Sequence, residues 1–284
     1  MSEDAEVEKR GREAIEAFVT AVTYPVIWTD GKRIVTLGSG ALFQHKDRRF
    51  ILTARHLFEF DKKTHKEFPF EGLYGPTSLN LRAVTPPRMI GKTRAYLTTG
   101  ANALYRDIVA IELLDESFIN AISKDWQFIG VENVAVPDRD SLYFVGGFPN
   151  ERERRFGDAV GASCLRLTTF RHPKVPSDVE HYDKRYDLIL AYDKQGGDTS
   201  RANAPTVTPF AGGVSGGPVL RQADERRMKI WAPKSALSFV GIQSSSTKAN
   251  QWLRAKNVHA IHRYFDEAIP SIGKAIAKKL GKPR

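Results

Sequence analysis

An all-β protein of two six-stranded antiparallel barrels, with a helix at each end of the chain, is the architecture this sequence predicts. Three observations carry it. Short runs rich in Val, Ile, Leu, Phe and Tyr recur between turn signals, helical periodicity is confined to the two ends, and the strand character of the first half is repeated in the second. The 284 residues suffice for two barrels of roughly 100–120 residues each.

Residues 1–22 read as a helix. Ser2 is a capping residue, Glu3, Asp4 and Glu6 sit where acids favour the helix dipole, and Ile15, Phe18, Val19 and Val22 repeat at i, i+3, i+4, i+7. A first barrel over 23–120 follows, with strands predicted at 24–28, 32–44, 49–53, 79–84, 94–97 and 108–113. Residues 115–120 lose the alternation, so a linker is expected near 115–125. The second barrel, over 121–257, takes strands at 126–130, 141–146, 164–169, 188–192, 219–220 and 238–244. Residues 196–205, rich in Gly, Ser, Thr and Asn, read as a loop. Helical spacing returns at Val258, giving a C-terminal helix and basic tail over 258–284.

With 41% hydrophobic and 27% charged residues the composition is that of a globular protein. The acidic start Met1-Ser2-Glu3-Asp4 lacks the pattern of a secretory signal, and no run of about 18 apolar residues occurs, so a soluble, cytoplasmic protein with no membrane contact is expected. Cys164 is the single cysteine, which excludes an intrachain disulfide and a cysteine-built metal site. His45, His65, His172 and His181 show no paired ligand spacing, and the acids between 183 and 198 lack the alternation of a calcium loop; neither metal nor cofactor is expected. The net charge of +10 is spread among interleaved acids apart from small clusters at 152–155, 226–229 and 274–284, which favours solvated faces over a nucleic-acid surface.

The chemistry concentrates at Pro209-Phe210-Ala211-Gly212-Gly213-Val214-Ser215-Gly216-Gly217-Pro218. So many glycines around one serine cost chain entropy unless the backbone itself has a task. Acyl transfer supplies one: the N–H groups of Gly213 and Ser215 would form an oxyanion hole. A serine hydroxyl is a weak nucleophile and needs a base and an orienting carboxylate. The apolar run 49–53 ends in a small-residue turn carrying His56, and Asp107 stands at the mouth of the apolar run 108–113.

Thr53-Ala54-Arg55-His56, Asp107-Ile108-Val109-Ala110-Ile111-Glu112-Leu113 and Gly213-Val214-Ser215-Gly216-Gly217-Pro218, in that order, resemble the three motifs of the trypsin/chymotrypsin-type serine peptidases, and Gly38-Ser39-Gly40-Ala41-Leu42-Phe43 resembles the strand ahead of the histidine in their bacterial members. The resemblance spans roughly residues 24–266 and implies the double-barrel fold, a cleft between barrels, and an endopeptidase with His56 as base, Asp107 as orienting carboxylate and Ser215 as nucleophile. It also implies Phe210, after Pro209, as one wall of the substrate pocket and Gln243, Ser244, Ser245 and Ser246 as the other. No acid stands at the pocket base, so cleavage after Arg or Lys is not expected. Val214 departs from the secreted members, whose Asp before the serine pairs with a new amino terminus. Control would come instead from a narrow range of protein or peptide substrates, or from an activating partner.

Two other readings compete. Gly213-Val214-Ser215-Gly216-Gly217 also fits the G-x-S-x-G elbow of α/β-hydrolases, whose acid and histidine follow the serine, and Asp224, His259 and His262 do follow. That frame needs a helix directly after Ser215, and no helical pattern opens there. The second is a catalytically silent, peptidase-like scaffold that binds a protein or nucleic-acid partner.

Overall fold

The computed structural model describes residues 3–29, 34–59, 69–70, 72–79, 87–98, 107–156, 159–192, 211–223, 232–247 and 251–281. It begins with helix α1 (Glu3–Val22), which runs without a break into β1 (Thr23–Thr29). The rest of the first sheet is β2 (Ile34–His45), β3 (Arg48–Thr53), β4 (Leu73–Gly75), β5 (Arg88–Met89), β6 (Thr93–Tyr96), β7 (Val109–Leu113) and β8 (Ile129–Gly130). Its order is β5-β4-β1-β2-β3-β7-β6, with β8 parallel to β2.

The two ends of that order are neighbours in sequence. Met89 pairs with Tyr74 of β4, Ile90 N donates to Leu73 O at 2.9 Å, the chain turns at Gly91, and Thr93–Tyr96 then pair with β7. One bent run therefore bridges both edges. With β4, β1, β2, β3 and β7 it makes six strands and closes a barrel, which removes the exposed edges of an open sheet. Pro25 is accommodated in β1 because β4 pairs only with Ile27 and Trp28.

The second sheet comprises β9 (Leu142–Gly147), β12 (Leu165–Phe170), β13 (Asp187–Ala191), β14 (Pro218–Gln222), β15 (Leu237–Ser246) and β16 (Trp252–Asn257), in the order β12-β9-β14-β15-β16-β13. A bridge between Arg171 and Leu190, with His172 N donating to Ile189 O at 2.8 Å, joins the ends into a second six-stranded ring. A small hairpin of β10 (Arg154–Phe156) and β11 (Ala159–Gly161) stands apart. The predicted architecture of two antiparallel barrels with terminal helices is thus the observed one.

Several predicted elements are corrected. Of the run 126–130, expected to open the second barrel, only Ile129–Gly130 is a strand, and it lies beside Phe43–Gln44 in the first sheet. The linker contains helix α2 (Glu116–Ile122), capped where the Asp115 carboxylate accepts from Phe118 N. The strand expected at 79–84 falls largely outside the described residues. β16 was not foreseen. The C-terminal segment is two helices, α4 (Val258–Ala268) and α5 (Pro270–Leu280). Pro270 keeps Ile269 out of the helical region, at φ −146° and ψ 80°, which ends the first helix, and opens the second at its first turn.

Three apolar clusters fill the molecule. Tyr24, Leu42, Ile51, Val109 and Trp126 lie in the core of the first barrel, and Tyr143, Val145, Leu190, Val219 and Val240 in that of the second. The third joins them: Phe43 and Phe50 of the first barrel, Phe239 and Ile242 of the second, and Phe18, Tyr264, Phe265 and Ile276 of the helices. A short helix α3 (Pro233–Ala236) precedes β15. Among the described residues no helix is long and apolar enough to cross a membrane.

Candidate active site

His56 sits in a single 3-10 turn, Arg55–Phe58, that follows β3 after Ala54. β3 is central, paired to both β2 and β7, so its end is firmly placed. Asp107 stands two residues before the neighbouring strand, β7. Its Oδ1 accepts from the His56 backbone N at 3.1 Å and lies 2.8 Å from His56 Nδ1, so one carboxylate oxygen fixes both the turn and the ring. With Nδ1 donating, the neutral tautomer leaves the lone pair on Nε2. Burial pulls the imidazole pKa down, but the hydrogen bond and charge of Asp107, with Glu59 beyond, outweigh it and raise the pKa above the ordinary value. The side chains remain 39% and 26% exposed, so the pair is open to solvent.

Ser215 lies in a tight turn over 212–216 that leads into β14. A strand, not a helix, follows the serine, so the α/β-hydrolase arrangement is absent; His259 and His262 lie on α4 and make no hydrogen bond to Ser215 among the described residues. The turn needs two glycines in the left-handed region. Gly213 has φ +91°, and a Cβ there would stand 2.5 Å from both Phe148 O and Asn150 Oδ1. Gly216 has φ +87°, and a Cβ there would stand 2.0 Å from Ser39 O and 2.1 Å from Thr53 Oγ1. Only glycine meets both conditions. The second contact also locates the site: the serine turn rests on the residues that lead into His56.

The Gly212 carbonyl accepts from Asn150 N at 2.8 Å. A trans peptide directs its N–H opposite to its C=O, so the N–H of Gly213 points away from the 148–150 segment. Among the described residues neither Gly213 N–H nor Ser215 N–H has an acceptor. Two unengaged donors two residues apart are what an oxyanion hole requires. Asn150, which sets the first of them, was not singled out from the sequence; Pro149 marks a turn there but says nothing of the carbonyl it meets.

The Ser215 hydroxyl donates to Ser244 O at 3.3 Å and makes no hydrogen bond to His56 among the described residues. That bond is long for a hydroxyl, and rotation about χ1 frees it. Gln243 behind the turn exchanges main-chain bonds with it, accepting from Gly216 N at 2.7 Å and donating to Gly217 O at 2.8 Å. The Gln243 side chain is buried, 1% exposed at the residue, and its Nε2 donates to Ser245 O at 2.9 Å. Ser244 is buried with Oγ donating to Arg254 O at 3.4 Å, whereas Ser245 and Ser246 are half-buried. Phe210 and Pro209 lie outside the described residues. Burial drives the Cys164 thiol to a pKa of about 11, which leaves it protonated and no rival nucleophile.

Two closed antiparallel barrels, with the histidine turn of one resting against the serine turn of the other, define a double-barrel protein of the trypsin-like fold class. No family model and no curated protein matches the chain in sequence. Among solved structures it is similar to one concerned with the intrinsically disordered Sesbania mosaic virus VPg protein, whose coupled folding and binding is driven by aromatic interactions, with 12% identity over 88% of this chain and 90% of that one and a TM-score of 0.43. It is also similar to catalytically active tobacco etch virus protease complexed with product, with 14% identity over 86% of this chain and 75% of that one and a TM-score of 0.40. At such scores neither likeness defines the fold, which rests on strand order and register.

Proposed function

We propose that this chain is a serine endopeptidase. The observation that carries the reading is the adjacency of a base already paired with a carboxylate, His56 with Asp107 at 2.8 Å, to a turn whose Gly213 and Ser215 N–H groups have no acceptor among the described residues. His56 Nε2 takes the proton of Ser215 Oγ as it attacks a peptide carbonyl; the oxyanion of the tetrahedral intermediate is held by the two N–H groups. Collapse expels the amine, which receives the proton from His56, and leaves an acyl-serine. Water, deprotonated by the same imidazole, then releases the acid and regenerates the hydroxyl. Asp107 fixes the tautomer and stabilises the imidazolium. The rotation of Ser215 Oγ from Ser244 O towards His56 precedes attack, in keeping with catalytic hydrogen bonds that tighten only with substrate bound. Ser245 and Ser246 are the half-buried positions available to a substrate side chain.

The test is labelling of the purified chain by a fluorophosphonate, read by intact mass. One adduct on the native protein, lost in Ser215→Ala and reduced to background in His56→Ala, is the expected result. A folded native protein that takes no adduct overturns the reading in favour of a scaffold without chemistry.

A further inference from the structure

Ser39 lies in β2 between Gly38 and Gly40 and is 0% exposed. A buried hydroxyl needs partners, and those of Ser39 converge on one place. Its N donates to Ser215 O at 2.9 Å. Its Oγ donates to Gly213 O at 2.7 Å and accepts from Phe148 N at 2.8 Å. Its carbonyl accepts from Thr53 Oγ1 at 2.5 Å. A Cβ on Gly38 would stand 3.0 Å from Ser215 O and 2.6 Å from Leu57 Cδ1, so the bare backbone there is what lets β2 come this close.

We propose that Ser39 is a positioning residue of the acyl-transfer site, the clamp that sets the serine turn in register with the histidine turn; the proposal rests on the peptidase reading above. Gly213, Ser215 and Phe148 belong to the second barrel, whereas Ser39 and Thr53 belong to the first. The Gly213 and Ser215 carbonyls lie on either side of Val214 and both are held by Ser39, so the peptide that carries the Ser215 N–H is fixed at its two neighbours. The Gly212 carbonyl is fixed separately by Asn150 N. On the other side, Thr53 stands three residues before His56 and is tied to the same Ser39 through its hydroxyl. The residue touches no reacting atom. It governs where the oxyanion donors stand relative to the base.

Ser39→Ala in the full chain tests this. The hydroxyl is lost, Phe148 N and Gly213 O lose a shared partner, and the turn is free to shift. The expected result is a fall of about 100-fold in the rate of phosphonylation, the scale on which a misplaced oxyanion donor acts. The pH midpoint of that rate and the low-field proton resonance of the His56–Asp107 hydrogen bond stay as in the native protein, because the base is untouched; a loss of fold would move both. Ser39→Cys keeps the shape with a poorer donor and acceptor, and recovers part of the rate. A folded Ser39→Ala that labels within twofold of native overturns the clamp and leaves the peptidase reading intact, as does a slow variant whose pH midpoint moves with its rate. A native protein that takes no label removes the peptidase reading and the clamp with it.

Discussion

In the first barrel the groups of the site are side chains held by a side chain: one oxygen of Asp107 fixes both the ring and the backbone of His56. In the second they are main-chain groups, held by main-chain bonds among Asn150, Gly216, Gly217 and Gln243, by Ser39 from the first barrel and by two glycines that nothing can replace. The same contrast appears in the polar interior. The first barrel buries Glu112 against Arg48 at 2.6 Å, with Tyr96 OH at 2.8 Å, near the solvent. The second encloses Asp187 with Lys256 Nζ at 2.7 Å, and the carboxylate also accepts from Asp183 N. On the proposed reading, a base that must titrate and meet solvent is built from a pair that can change charge, and an oxyanion hole that must not relax as charge develops is built from backbone.

The sharpest way to break this contrast is Asp107→Asn. It keeps the shape but favours the wrong tautomer, and a loss of about 10⁴-fold in labelling rate is expected. In the native protein the rate rises with pH as His56 loses its proton, with a midpoint above the ordinary imidazole value of 6.5 because Asp107 raises it. In Asp107→Asn that support is gone and the midpoint falls. A rate profile whose midpoint lies below 6.5 in the native protein would separate His56 from the chemistry.

The two buried carboxylates sharpen the comparison on the side of stability. Asp187→Ala strands Lys256 in the second barrel and should cost about 3–5 kcal/mol in denaturant unfolding. Glu112→Gln keeps the hydrogen bond of Tyr96 and leaves Arg48, which is 30% exposed, to water; about 1 kcal/mol is expected. Equal losses would mean that the two interiors are alike. The Glu112 carboxyl is held below its ordinary pKa, since its hydrogen bonds to Arg48 and Tyr96 outweigh burial. Its contribution is therefore present above the unfolded value near 4.5 and is lost as pH falls through the folded one.

A further substitution probes the backbone side. Gly213→Ala puts a methyl into a left-handed residue against Phe148 O and should cost about 1–3 kcal/mol together with most of the labelling. Tyr264→Phe lies away from the site. Its hydroxyl accepts from Ala110 N at 2.8 Å and donates to Tyr96 O at 2.5 Å, and removing it should lower stability by about 1–2 kcal/mol without moving the pH profile.

The strands that the sequence revealed are those with three or more apolar residues in succession, as at 50–52 and 108–111. Trp252–Asn257 escaped because Lys256, on the face opposite the core residues Leu253 and Ala255, is buried as well, and its charge is legible as buried only when Asp187, far away in the chain, is placed beside it. Leu73–Gly75 is too short for any periodicity to register. The short helix at Glu116–Ile122 shares its signals, Asp115 as cap and Phe118 with Ile122 inward, with an ordinary turn. Of the candidate site, His56 stands just past the end of one apolar strand and Asp107 and Ser215 stand just before the start of two others, positions that the sequence marks. Asn150 and Phe148 were not, since they act through main-chain N–H groups that every residue but proline possesses.

The helices cross between halves. The helix that opens the chain leads into the first barrel but packs on β9, β12 and β14 of the second, with Glu16 and Arg166 paired at 3.4 Å. The helix that follows the second barrel returns to the first, where Phe265 stacks on Phe43 at 5.7 Å and Tyr264 reaches Ala110. Each end of the polypeptide thus packs on the half it does not belong to by sequence as well as on its own. A chain severed just after Glu116–Ile122 would yield two fragments, each carrying the piece its counterpart lacks. They should remain poorly folded alone and reassemble on mixing, with labelling restored only in the complex.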